Sequence, residues 1–171
     1  MKEVKSFKMA LKGIIYSICN ERHMRFHMIS AIYILFFSMF FELSGERLAI
    51  LLLTIFIVIF SELINTVVEK MSDLLTGDYN PIIKVVKDIA AGSVLIAGFC
   101  AVLVAFCLFN DIDGYLRIYD YFLNNYVSFL FFLISVMLSL KFVKYGPNEF
   151  KYKLIKVKNM FTTWLEKLLK K

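Results

Sequence analysis

The sequence predicts an all-α integral membrane bundle: an N-terminal amphipathic surface helix, four transmembrane helices and a basic amphipathic tail. Three observations carry that prediction. Hydrophobic residues fill 60% of the 171 positions, 18 of them Phe, and the mean hydropathy of +0.70 lies well outside the range of an ordinary soluble domain. The apolar residues come in continuous blocks rather than at helix or strand period, which makes lipid their solvent. Two Pro and seven Gly leave little for turns, and helices satisfy their own backbone where water is absent.

Residues 2–27 read as the surface helix. Val4, Phe7, Leu11, Ile14, Ile15 and Ile18 fall on one side, with Lys5, Lys8 and Lys12 on another, a pattern suited to a membrane surface. The first span, 28–43, is about 24 Å long as a helix and needs a few flanking residues to cross. Spans two, three and four are expected at 48–69, 89–109 and 121–140. Residues 149–171 form the tail, where Phe150, Leu154, Val157, Phe161, Trp164 and Leu168 make a seam among lysines.

The net charge of +6 is a membrane address rather than a nucleic-acid footprint. With a cytoplasmic N-terminus, 18 basic residues fall inside and two, Arg47 and Arg117, outside. The positive-inside rule then puts both termini in the cytoplasm of a multi-pass plasma-membrane protein. Cys19, Cys100 and Cys107 are too few and too apolar in setting for a disulfide framework. No secretory signal peptide is expected, because the first apolar block starts late and lacks a cleavage site.

The second span raises the chemical question. Glu62, Asn65, Glu69 and Asp73 follow a run apolar enough for lipid, with no Gly or Pro to end the helix. At i, i+3, i+7 and i+11 they form one stripe about 16 Å long. Glu62 lies roughly 21 Å in from the outer face, still within a ~30 Å hydrocarbon core. A carboxylate there costs roughly 2.5–3.5 kcal/mol, whereas a contact between helices is made more cheaply with Ser or Thr. Acids aligned across the interface suit a reaction joining a lipid head group to a charged, water-soluble partner. Glu62 is placed to take a proton from a lipid hydroxyl, and the shallower acids to hold a divalent cation on phosphate oxygens.

Lys84, Lys87 and Asp88 precede the third span, and Lys87 complements a phosphate as a point charge. Ala90, Ala91, Gly92, Ser93, Ala97, Gly98 and Ala101 permit close helix approach. Glu21 sits where the surface helix meets the first span, at the same cytoplasmic level as Glu69, where two acids can share a metal. His23 and His27 have no HExxH pattern or thiolate partner and read as surface or head-group contacts. GxxxxGK[ST] and GxGxxG are absent, so residue chemistry alone reaches metal-assisted phosphoryl transfer at the inner leaflet. An ion or proton pathway through Glu62 and Glu69 is the rival reading, but the other spans carry no acid at mid-depth.

"NERHMRFH" (20–27), "ELINTVVEKMSD" (62–73) and "KDIAAGSVL" (87–95) resemble the small prokaryotic diacylglycerol kinase family, above all its Gram-positive branch, the undecaprenol kinases. The resemblance covers about residues 2–110. It implies a three-span protomer with a surface helix, a homotrimer with sites between subunits, and use of ATP with Mg²⁺. Glu62 then corresponds to the catalytic base and Glu21 and Glu69 to metal ligands. Lys87 and Asp88 match nucleotide-contacting positions, Asp78, Tyr79 and Asn80 fall on a loop near the nucleotide, and Asn65 and Asp73 match further polar positions. The resemblance implies an ATP-dependent kinase of undecaprenol, or alternatively of diacylglycerol. It divides the chain into a kinase domain, 1–110, and an extension, 111–171, expected to be an anchor or regulatory piece.

Overall fold

The computed structural model describes the backbone of residues 2–75 and 80–169, with side chains for 4–75, 80–147 and 149. All regular structure among them is helical. Six helices run α1 (Lys2–Asn20), α2 (Arg22–Ser38), α3 (Gly45–Leu75), α4 (Pro81–Leu108), α5 (Ile112–Asn124) and α6 (Tyr126–Leu169), with a 3-10 turn at Met39–Phe41. Four stretches are long and apolar enough to cross a membrane: Arg22–Phe41, Gly45–Leu75, Pro81–Leu108 and Tyr126–Pro147.

Several boundaries differ from expectation, and spans two and three, expected at 48–69 and 89–109, lie in the longer helices Gly45–Leu75 and Pro81–Leu108. The surface helix stops at Asn20, because Glu21 is extended (φ −103°, ψ 125°) and α2 restarts at Arg22. Residues 22–27 therefore belong to the first span, and supply the flanking length that 28–43 lacked. The fourth span starts at Tyr126, not 121: Asp111 caps a separate amphipathic helix, α5, by accepting a hydrogen bond from the Asp113 amide at 3.2 Å. α6 then continues past the expected end at 140, and its path breaks only at Gly146 (φ 72°, ψ 172°), next to Pro147. The side chains of the tail seam lie outside the described residues.

α3 and α4 pack antiparallel along most of their length. The small-residue surface that allows this is narrower than expected. Ala90 and Ala97 are buried, but a Cβ added at Gly92 or Gly98 would meet nothing within 4 Å. Those glycines lie on open faces. α2 packs on α3 on one side and on α6 on the other. The α2–α6 seam is aromatic, with Phe132 edge-on to Tyr33 and Phe37. It also holds a half-buried polar knot, the Tyr33 hydroxyl lying 3.0 Å from both Ser135 and Ser139.

At the opposite end from Glu21, α5 closes over the 3-10 turn. Arg117 donates to the Phe40 carbonyl at 2.6 Å and pairs with Asp111 at 3.3 Å. Phe41 is buried there, edge-on to Phe109 and Tyr115. A Cβ on Gly114 would lie 2.9 Å from Phe41 Cγ, on the root of a ring held from two sides. Gly114→Ala is therefore expected to destabilise the protein by about 1–3 kcal/mol through overpacking, despite its gain of up to ~1 kcal/mol in helix propensity. Thermal unfolding in detergent micelles measures it, and an unchanged or raised Tm would contradict this packing account.

Candidate active site

Glu62, Asn65 and Glu69 come from three successive positions on one face of α3 and line a single cavity of about 620 Å³. α4 supplies the opposite wall with Ala91, Val94 and Gly98, and α2 the side wall with His23, Phe26 and His27. Glu62 is only 4% exposed and Asn65 8%, so both are shielded from solvent by the chain's own helices. Thr66 donates to the Glu62 carbonyl at 3.0 Å and shares a 3.4 Å hydrogen bond with the fully buried Ser17 of α1. The surface helix is thereby docked one turn from the buried carboxylate.

Asn65 donates its amide to Glu69 Oε1 at 3.0 Å. Its carbonyl oxygen, Oδ1, is buried with no hydrogen-bond partner among the described residues. An acceptor left so in a buried site costs about 1–3 kcal/mol. It is satisfied when a proton donor or cation enters the cavity. His23, Glu69 and Glu21 all lie within electrostatic reach of Glu62, so the site gathers charged groups from α2, α3 and the α1–α2 elbow.

The stripe splits at its outer end. Glu62, Asn65 and Glu69 share the cavity, whereas Asp73 leaves it and pairs with Lys87 of α4 at 2.7 Å. Lys87 is thus held by a carboxylate rather than standing free. Glu21 pairs with Lys70 at 3.0 Å, on the same helix as Glu69. Asp88 is exposed on the first turns of α4. Asn80 caps α4, its Oδ1 accepting from the Ile82 and Ile83 amides at 2.9 and 3.4 Å ahead of Pro81, which is how this residue type commonly starts a helix. Asp78 and Tyr79 lie outside the described residues.

His23 and His27, expected to make surface or lipid head-group contacts, line the cavity beside Glu62. Their signal was the i, i+4 spacing immediately after the elbow, which turns both toward α3.

No cluster of three His, Cys, Asp or Glu side chains suited to a metal occurs among the described residues. Glu69 and the unpartnered Asn65 Oδ1 are nonetheless hard oxygen donors in the cavity, whereas Glu21, a third such donor, is engaged by Lys70 and is not among the cavity's lining residues. Mg²⁺ takes one or two carboxylates and completes its shell with water and phosphate oxygens, and these residues fit that demand.

A second, apolar cavity of about 250 Å³ shares Phe26, His27, Gly98 and Val102 with the first. It runs beside α3 as far as Leu51, eleven residues or about 16 Å from Glu62 along the helix. Its walls are almost entirely hydrocarbon, with Thr54 and Ser30 as the polar exceptions beyond His27. A buried acid, a hard-oxygen site and a greasy channel therefore meet at one point.

The family model described as prokaryotic diacylglycerol kinase matches residues 8–109, which include every cavity residue and exclude α5 and α6. A diacylglycerol kinase of Synechocystis is 36% identical over 104 residues, covering 60% of this chain and 59% of that protein's own length. An undecaprenol kinase of Bacillus subtilis is 33% identical over 105 residues, covering 61% of this chain and 85% of that protein. No solved structure matches the chain.

Proposed function

The chain belongs to the prokaryotic diacylglycerol kinase family, and on that premise we propose that it is an ATP-dependent membrane lipid kinase acting on undecaprenol. The observation that carries the reading is Glu62, buried at the head of an apolar channel. A carboxylate there meets an alcohol presented by a hydrocarbon chain and is dry enough to act as its base. Glu62 takes the hydroxyl proton, the freed oxygen attacks the γ-phosphorus of ATP, and the bond to the departing ADP oxygen breaks.

Magnesium, when bound, supplies charge neutralisation on the phosphate oxygens. Glu21 and Glu69 are the carboxylates assigned to hold it, and Asn65 orients Glu69 through its 3.0 Å hydrogen bond. Lys87, Asp88 and the 78–80 loop are assigned to the nucleotide. Because Lys87 and Asp73 are both substantially exposed, their ion pair is weakly held and a phosphate can replace Asp73. The termini are assigned to the cytoplasm by the lysine distribution, which places Glu69, Lys70 and Lys87 where ATP is found.

Undecaprenol is favoured because the three sequence motifs most resemble the undecaprenol kinases, and the match spans 85% of one such relative against 59% of a diacylglycerol kinase. The cavity is open along the bundle face between α2 and α4, and a homotrimer with sites between subunits would complete its wall. The test is transfer of radiolabelled γ-phosphate from ATP to purified lipids in mixed micelles. Faster labelling of undecaprenol than of diacylglycerol is the expected result. A preference for diacylglycerol would reverse the substrate assignment, and no labelling of either would end the kinase reading.

A further inference from the structure

Arg25 is 5% exposed and faces no carboxylate in an ion pair among the described residues. Its guanidinium instead serves three main-chain carbonyls left over from two breaks in the chain. α1 ends at Asn20, with the Glu21 amide bonded to Ser17, so Ile18 and Cys19 have no helical donor four residues on. Arg25 Nη1 donates to both, at 3.2 and 3.1 Å. In α6, the carbonyl of Val143 would look to residue 147, which is proline and has no N–H. Arg25 Nε supplies that bond at 3.1 Å. Gly146 lets the α6 break come this close. Its backbone (φ 72°, ψ 172°) lies in a region open essentially to glycine alone. A Cβ there would lie 3.1 Å from Arg25 Nη1 and 3.3 Å from the Cys19 carbonyl oxygen.

We propose that Arg25, together with the Gly146–Pro147 break, is a latch that makes the fourth span a positioning element of the active site. The elbow it grips is the one that presents Glu21. Arg25 is accordingly a positioning residue, acting through Glu21. The inference rests on the proposed role of Glu21 in metal binding, and it concerns helices beyond residue 109, where the family match ends.

Five full-length proteins test it: wild type, Arg25→Lys, Gly146→Ala, the double variant and Tyr33→Phe. Lysine keeps the charge but cannot reach carbonyls on both sides of the elbow. Alanine keeps the guanidinium but removes its seat. Each single variant is expected to raise half-saturating Mg²⁺ for lipid phosphorylation roughly tenfold, the low end of the effect of losing an outer-shell support. Because both remove the same latch, the double variant is expected to be no worse than the larger single. Tyr33→Phe loosens span four at Ser135 and Ser139 without touching the latch, and is expected to leave the magnesium requirement unchanged. A second readout does not need activity: with Cys100 and Cys107 replaced by Ala, Cys19 is expected to alkylate several times faster in Arg25→Lys and Gly146→Ala than in wild type.

An unchanged magnesium requirement in Gly146→Ala, additive effects in the double variant, or an equal shift in Tyr33→Phe would each overturn the latch. If Arg25→Lys fails to insert, Gly146→Ala decides alone. If wild type phosphorylates no lipid, the kinase reading falls, and the alkylation of Cys19 still decides whether the latch exists.

Discussion

Replacing Glu62 with Gln is expected to lower ATP-to-lipid transfer by about 10²–10⁴-fold, the range general-base catalysis supplies, while the protein stays folded. Glutamine has nearly the same shape, and the neighbouring contacts do not use the carboxylate: Thr66 bonds the main-chain oxygen of residue 62. Stability carries the sharper test. A carboxylate at this depth costs roughly 2.5–3.5 kcal/mol on insertion scales, so the amide is expected to raise the thermal midpoint or leave it unchanged. A residue kept for structure shows the opposite pairing, in which loss of function accompanies loss of stability. Activity lost with stability kept is the mark of a group retained for its chemistry. Full turnover in Glu62→Gln would remove it as the base, and a steep fall in Tm would recast it as a structural contact.

The stripe on α3 was legible because period and depth are both written in the chain. No breaker interrupts 45–75, so four polar residues at helical spacing had to share a face, and three of them line one cavity. Its outer end was not legible. Whether Asp73 joins the cavity or pairs with Lys87 depends on the approach of α4, which spacing along α3 does not contain. The junction at Glu21 was legible, but the end of the surface helix, expected at residue 27, was not. Ile18, Met24 and Met28 continue an apolar pattern with no Gly or Pro between them, so propensity runs through a break that tertiary contacts impose. Arg25 was counted as one positive charge among eighteen. Its role became visible only when Ile18, Cys19 and Val143 came together from opposite ends of the chain. The end of α5, residues 121–124, was absorbed into span four because its aromatic residues resemble those that follow.

Glu69→Gln is expected to separate the metal site from its scaffold. The Gln carbonyl can still accept the Asn65 amide that now reaches Glu69 Oε1 at 3.0 Å, so the α3 geometry survives and only the negative charge is lost. Glu21 remains, yet it is already paired with Lys70 at 3.0 Å and cannot by itself replace the missing charge. Removing even an outer-shell partner weakens metal affinity by roughly 10–100-fold, and a direct ligand is expected to matter at least as much. Half-saturating Mg²⁺ should therefore rise tenfold or more on the same scale, with a lower rate at saturation. Glu69→Ala should add a second defect, because the Asn65 amide then loses its partner beside a carbonyl that is already unpaired, and two buried unsatisfied polar groups cost more than one. A magnesium titration of lipid phosphorylation distinguishes these outcomes. An unshifted titration in Glu69→Gln would strip Glu69 of its metal role and leave the Asn65–Glu69 pair as a helix-surface hydrogen bond with no part in phosphate chemistry.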